Sequence, residues 1–283
     1  MSILFCRNIK EIYKNFFKSE EFKKAYNKEV PDSYLNKLDS KEISFEDACL
    51  FVYMKSLLTF LGNDYLIEQT IIDEAQDYNK LQYILLKKIL RKSKFTILGD
   101  INQTINPYYQ YKSLEDLKSV FDESVNYIEL NKTYRSSPEI IEHANKILGL
   151  NLVSAIRRDT KIPVEFKEEN NLKEQLLNDI NKLQKVNKSI AIITKTNKEA
   201  IDIYKLLKKD NEDLTLIINN SKAFSRKLVV IPSYMAKGLE FDATIVYTTK
   251  DDKFNHDERY LYYVACTRSQ HHLIIYNQKE NDN

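Results

Sequence analysis

Between residues 70 and 276, short β-branched runs alternate with stretches of helical period, and that alternation restricts the chain to a parallel α/β architecture. The runs are Thr70 to Ile72, Phe95 to Leu98, Tyr127 to Leu130, Ile190 to Thr194, Leu214 to Ile218, Leu228 to Ile231, Thr244 to Tyr247 and Leu273 to Tyr276. Helices are expected between them at about Tyr78 to Arg91, Ser137 to Leu148, Leu172 to Val186, Lys198 to Lys208 and Asp257 to Thr267. A helical layer precedes them, with Ser44 suited to cap an apolar-periodic stretch reaching Leu61 and Gly62 suited to stop it. No repeat, low-complexity tract or glycine-rich linker interrupts the chain, and a break near Asp122 to Asn126 divides it into residues 1–123 and 124–283.

A hydrophobic content of 43% over 283 residues suffices for a packed core in each part. The 43 basic and 41 acidic side chains leave a formal charge of +2, so no overall field announces a nucleic-acid partner. Cys6, Cys49 and Cys266 are odd in number and unrelated in spacing, which supports neither a disulfide framework nor a zinc site and fits a reducing compartment. The apolar run Ile3 to Cys6 is too short for a signal peptide or a membrane span. A soluble, cytoplasmic protein with no membrane partner is the expectation.

The run Thr70-Ile71-Ile72-Asp73-Glu74-Ala75-Gln76-Asp77 takes an apolar strand directly into acids, at the carboxyl end where open α/β sheets bind ligands. After such a strand one carboxylate can hold Mg²⁺, a hard cation that prefers oxygen donors, and the next can orient or deprotonate an attacking water. A strand followed by two acids is also an ordinary solvated strand end, so the pair alone decides nothing.

Other motifs follow in order: Leu98-Gly99-Asp100-Ile101-Asn102-Gln103, Thr133-Tyr134-Arg135-Ser136-Ser137, Ala236-Lys237-Gly238-Leu239-Glu240-Phe241-Asp242 and Tyr263-Val264-Ala265-Cys266-Thr267-Arg268-Ser269. With the DEAQD run they resemble the Walker B, GDxxQ, YRS, KGLEF and YVAxTRA motifs of UvrD/Rep-type superfamily 1 DNA helicases. The Ile231-Pro232-Ser233-Tyr234 stretch and the short spacing of the later motifs look most like the HelD branch, which associates with RNA polymerase. The resemblance implies RecA-like P-loop NTPase folds: residues 1–123 as a helical segment plus the later part of a first, incomplete RecA-like domain, and 124–283 as a second one.

The resemblance also implies roles. Asp73 would bind Mg²⁺, Glu74 would activate water, and Gln103 would sense the γ-phosphate of ATP. Tyr134 would stack on adenine, Glu240 would accept from the ribose, and Gly238 would let the backbone approach closely. Arg135 and Arg268 would be arginine fingers, whose planar forks suit a transferring phosphoryl group. With only 8 arginines against 35 lysines, one in each motif is informative. For single-stranded or duplex DNA, Tyr108 and Tyr109 are expected to stack on bases, and Ser233, Tyr234 and Lys237 to meet the backbone. The Arg-Gly pair usual near those tyrosines in the family is absent. Taken singly, these residues read as a strand-end aromatic, surface cations and capping hydroxyls.

A P-loop needs a glycine-rich turn ending in Gly-Lys-Ser/Thr, and none of the four glycines, Gly62, Gly99, Gly149 and Gly238, precedes a lysine. The chain is therefore expected to be a C-terminal helicase portion, whether cloned, split or decayed, that hydrolyses ATP only with a P-loop-bearing N-terminal partner. The rival expectation is a non-catalytic module that binds nucleic acid or RNA polymerase through the same surfaces.

Overall fold

The computed structural model describes residues 9–38, 43–59, 61, 66–105, 111–121, 125–150, 153–156, 161–219 and 227–278. The chain divides into two compact units, Met1–Gly99 with Tyr111–Asn126 and Asp100–Gln110 with Tyr127–Asn283. Residues 100–105, grouped with the first part on sequence grounds, fall with the second unit in this division.

The first unit opens with α1 (Ile9–Lys18), α2 (Glu20–Tyr26), α3 (Asp32–Lys37) and α4 (Phe45–Leu58). Ser44 caps α4 as expected, accepting from Asp47 N–H at 3.1 Å, and the helix ends at Leu58, short of Leu61. Tyr13, Leu35, Leu38 and Phe51 form the core of this layer. The Asp47 carboxylate is buried there, a costly placement for a charge unless hydrogen bonds replace water. Tyr13 Oη donates to it at 2.9 Å, Ser44 Oγ at 2.8 Å, and Tyr34 Oη as well.

Next come β1 (Gln69–Ile72), α5 (Lys80–Ile89), β2 (Lys94–Ile97) and α6 (Lys118–Phe121). The strands pair in parallel, Ile71 opposite Thr96 and Ile72 opposite Ile97. Asn79 and Gln82 cap α5 reciprocally, each side chain accepting the other's backbone N–H. One sheet face, with Ile72, packs on Ala75, Tyr83, Leu117 and Val120.

The second unit contains β3 (Lys132–Thr133), α7 (Pro138–Leu148), β4 (Ser154–Ala155), β5 (Glu165–Lys167), α8 (Leu172–Gln184), β6 (Ile190–Thr194), α9 (Asn197–Leu207), β7 (Leu214–Leu216), β8 (Leu228–Pro232), β9 (Phe241–Tyr247), α10 (Arg259–Thr267) and β10 (Ser269–Tyr276). Six strands form one sheet in the order β5-β10-β9-β6-β8-β7, every pair parallel. All five residues of the central β6 are buried, which a parallel sheet covered on both faces requires. Ala191 and Ile193 face α7 and α10, whereas Ile190 and Ile192 face α8 and α9. Strand alternation thus builds two cores from one sheet.

Two expectations fail locally. Tyr127 to Leu130 is not a strand: Ile128 and Leu130 are exposed, and pairing begins only at Lys132, with Ser154. The short edge strand β5 went unread because its Glu-Phe-Lys sequence carries one apolar residue.

Candidate functional site

In the first unit the acidic pair sits where β1 ends. Glu74 lies in the left-handed region, φ 53° and ψ 44°, an uncommon conformation for a non-glycine residue. Its N–H donates to Asp73 Oδ1 at 2.8 Å, and its Oε2 accepts from Gln76 Nε2 at 2.7 Å. Gln76 is buried, so the Glu74 carboxylate is held from the protein side while Asp73 is exposed. The turn is anchored by Ala75 N–H to the Leu98 carbonyl at 2.9 Å and by Tyr83 Oη to the Ala75 carbonyl at 2.7 Å. Burial pushes the Tyr83 hydroxyl pKa well above its usual value, so it stays a donor.

Gly99 belongs to this arrangement, and the sequence reading assigned it no role. A Cβ at Gly99 would lie 2.8 Å from both Ala75 Cβ and Gln76 Oε1. The absent side chain lets the end of β2 pack against the turn that carries Glu74. Its signal was its place directly after a strand.

In the second unit two predicted residues far apart in sequence meet. Arg268 is 1% exposed, and its Nη2 donates to Gln103 Oε1 at 2.8 Å across 165 positions. The guanidinium also donates from Nε to the Val264 carbonyl at 3.1 Å and from Nη1 to the Leu239 carbonyl at 3.4 Å. Asp100, placed by the sequence at a ligand-binding strand end but given no specific role there, accepts from Gln103 Nε2 at 2.8 Å.

The other predicted pair is Arg135 and Glu240, joined at 2.7 Å between Nη2 and Oε1. The YRS segment is fixed onto the start of β10: Ser136 Oγ donates to the Ser269 carbonyl at 2.6 Å and Ser137 N–H to the Gln270 carbonyl at 3.1 Å. Gln270 Nε2 in turn donates to Glu240 Oε2 at 3.0 Å. Tyr134 projects with 71% of its surface exposed, and Gly238 takes φ 76°, a conformation that favours glycine. Gln103, Arg268, Arg135, Glu240 and Gly238 thus lie within one unit, while Asp73 and Glu74 lie in the other.

Of the residues expected to meet nucleic acid, Tyr108 and Tyr109 lie outside the described residues. Ser233 is buried, its hydroxyl donating to the Lys195 carbonyl at 3.3 Å. Tyr234 and Lys237 are partly exposed in and just after the one-turn helix Ser233–Met235. Lys195 is itself nearly buried, its ammonium 2.5 Å from Asp252 and 2.8 Å from Glu258. Burial alone would lower its pKa, yet the two carboxylates hold it above the usual lysine value.

Among the described residues no group of three or more metal-ligating side chains occurs, and no helix is long and apolar enough to cross a membrane. Mg²⁺ keeps several waters and takes one or two carboxylates plus substrate phosphates. Asp73, exposed at a strand end, has the chemistry for that.

Two family models match. Residues 6–113 match the UvrD/REP helicase N-terminal domain and residues 227–276 the UvrD-like helicase C-terminal domain. Among curated proteins, a probable DNA helicase II homolog of Mycoplasma genitalium is 27% identical over 219 residues, covering 69% of this chain and 30% of the relative. The ATP-dependent DNA helicase PcrA of Staphylococcus aureus is 27% identical over 207 residues, covering 67% and 27%. The solved C-terminal domain of a possible DNA helicase from Lactobacillus plantarum is 29% identical with a TM-score of 0.42, over 51% of this chain and 86% of that one. The chain spans less than a third of the length of these two curated relatives. With both domain models matched in chain order and a parallel α/β fold of the RecA-like kind beneath them, the chain is a member of the UvrD/Rep helicase family.

Proposed function

We propose that this chain is the motor portion of an ATP-dependent DNA helicase or translocase of the UvrD/Rep type, closest in character to the HelD branch. The observation that carries the reading is the Gln103–Arg268 hydrogen bond, which brings the glutamine of the GDxxQ motif onto the arginine of the YVAxTRS motif. Two motifs assigned to one phosphate-handling role meet without either having been placed by the sequence near the other.

Bound ATP and Mg²⁺ would supply the phosphoryl group and its charge-neutralising cation. Asp73 would hold the cation, and Glu74, fixed by Gln76, would accept the proton of an attacking water. Arg135 and Arg268 would face the phosphates, Tyr134 the adenine, and Glu240 the ribose. Single-stranded or duplex DNA would run over Tyr234 and Lys237, with Tyr108 and Tyr109 contributing and the buried Ser233 holding the Tyr234 turn from within; RNA polymerase is the partner the HelD likeness points to.

No glycine of the sequence precedes a lysine, so the amide cradle and lysine for the β and γ phosphates would come from a P-loop-bearing N-terminal portion. Calorimetric titration of Mg-ATP into the purified chain, alone and mixed with such a portion of a related helicase, tests this. Binding and hydrolysis are expected only in the mixture. Turnover of about one per second by the chain alone, a typical low enzymatic rate, abolished by Glu74→Gln, would overturn the need for a partner. The same missing cradle favours one rival, a non-catalytic module binding nucleic acid or RNA polymerase; single-stranded DNA binding with no nucleotide binding in either arm would select it.

A further inference from the structure

An amide offers a donor at one end and an acceptor at the other, and only the acceptor end attracts an arginine. At Gln103 the choice is made by Asp100. The Asp100 carboxylate accepts from Asn102 N–H through Oδ1 at 2.9 Å and from Gln103 Nε2 through Oδ2 at 2.8 Å. Its two oxygens are thus used in different directions, and rotating it breaks both bonds. With the Gln103 amino group engaged, Oε1 is the end presented to Arg268, and it accepts from Nη2 at 2.8 Å. Arg268 is 1% exposed; Nε donates to the Val264 carbonyl, Nη1 to the Leu239 carbonyl, and Nη2 also to Thr267 Oγ1 at 3.2 Å.

We propose that Asp100 is a positioning residue that orients Gln103 so as to latch Arg268 in the nucleotide-free protein. A phosphate must displace the Gln103 amide oxygen before it engages that arginine. A neutral amide is the weaker partner: it offers the guanidinium only a dipole, whereas a phosphate offers a full negative charge and bidentate oxygens, so the latch opens when the ligand arrives. The proposal rests on reading Arg268 as phosphate-facing. Its consequence is a difference in sign, with Arg268 favouring nucleotide binding while Asp100 opposes it.

Two measurements on the full chain test the latch. The first follows rotation of the Arg268 terminal amino groups by ¹⁵N side-chain spectroscopy without nucleotide, the signal being identified by its loss in Arg268→Lys. Rotation is expected to be slow in the parent and about fivefold or more faster in Asp100→Ala and Gln103→Ala, as befits loss of a bond to a charged group. Asp100→Asn, which keeps one acceptor oxygen for the two donors, should slow rotation only in part. Unchanged rotation in Asp100→Ala overturns the proposal, whatever the chain does with nucleotide.

The second measures Mg-ATP affinity in the presence of the P-loop-bearing portion. Asp100→Ala should bind about tenfold tighter than the parent, equivalent to about 1.4 kcal/mol, and Arg268→Ala in the same chain should abolish the gain. Weaker or equal binding by Asp100→Ala overturns the latch. Absence of Mg-ATP binding in every variant, with Arg268 still slowed, overturns the nucleotide reading and leaves the positioning role of Asp100 supported.

Discussion

Arg135 Nη2 lies 2.7 Å from Glu240 Oε1, so the cation expected to face phosphate and the carboxylate expected to face ribose neutralise one another in the ligand-free protein. Both side chains remain about 40% exposed, at 41% and 38%. An exposed ion pair contributes roughly 0.2 to 1 kcal/mol. Glu240→Gln is therefore expected to move the urea unfolding midpoint very little. In a chain that binds Mg-ATP it removes a negative charge from beside Arg135, so phosphate contact strengthens while the ribose contact weakens. A control titration with Mg-triphosphate, which has no ribose, separates the two. Glu240→Gln should bind it more tightly than the parent does.

At the other motif pair the relationship is steric. Gly99→Ala places a methyl 2.8 Å from Ala75 Cβ and from Gln76 Oε1, closer than real contacts allow. Overpacking of this kind costs about 1 to 3 kcal/mol. The first unit should lose that much stability in denaturant titration, and Ala75→Gly in the Gly99→Ala background should recover part of it. A neutral Gly99→Ala would show that the turn shifts freely and that Gln76 does not fix Glu74.

Glu74 at φ 53° carries backbone strain that glycine would not. Glu74→Gly is expected to stabilise the first unit by about 1 kcal/mol, the usual cost of an L-residue held in this region. It should also abolish any ATP hydrolysis reconstituted with a P-loop-bearing portion. Gain of stability with loss of turnover in one variant is the signature of strain kept for chemistry. Loss of both would mean that the Gln76–Glu74 hydrogen bond outweighs the strain.

Much of this was legible beforehand because burial dictates it. The run Ile190 to Thr194 is a strand in every residue, since a central parallel strand must be apolar on both faces. Ser44 marked the start of α4 because its hydroxyl caps it locally, and the starts expected at Ser137 and Asp257 fall within two residues of α7 and α10. Tyr127 to Leu130 misled because its alternation resembles a strand, yet Leu130 is 87% exposed and the run pairs with no strand among the described residues. The charged edge strand Glu165–Lys167 hid for the opposite reason. The motif residues were recognisable by order, but their pairings were not. Nothing in the sequence said that Gln103 would accept from Arg268, that Arg135 would pair with Glu240, or that Gly99 would adjoin Gln76.

His272, at the bend in β10, gives a pH dependence. Burial, the largest influence, and the adjacent His271 and Lys182 lower its pKa below the ordinary 6.5, opposed by Glu165. Its Nδ1 is 3.1 Å from Asn187 Oδ1. A depressed folded pKa means the unfolded chain binds the proton first. The stability contributed by neutral His272 is therefore fully present above about pH 6.5 and is lost as pH falls through the folded value. Unfolding midpoints of the second unit between pH 7.5 and 5 are expected to fall, and to fall less steeply in His272→Gln. Equal slopes would assign the dependence to other groups.

Tyr134 offers the most direct optical test of the nucleotide reading. It is 71% exposed, so Tyr134→Ala removes little packing and should change stability by less than about 0.5 kcal/mol, the usual range for surface positions. If its ring stacks on adenine, the same truncation should weaken Mg-ATP binding by about 1 kcal/mol or more, within the range measured for base–aromatic stacking. The chain has no tryptophan, so Tyr134→Trp installs a single indole at the site. Its emission should be quenched by Mg-ATP and left unchanged by Mg-triphosphate, because only the former carries a base. Quenching by both would place the phosphates near residue 134 and the adenine elsewhere. Quenching by neither, in a mixture that binds Mg-ATP calorimetrically, would remove Tyr134 from the site while leaving the arginines in it.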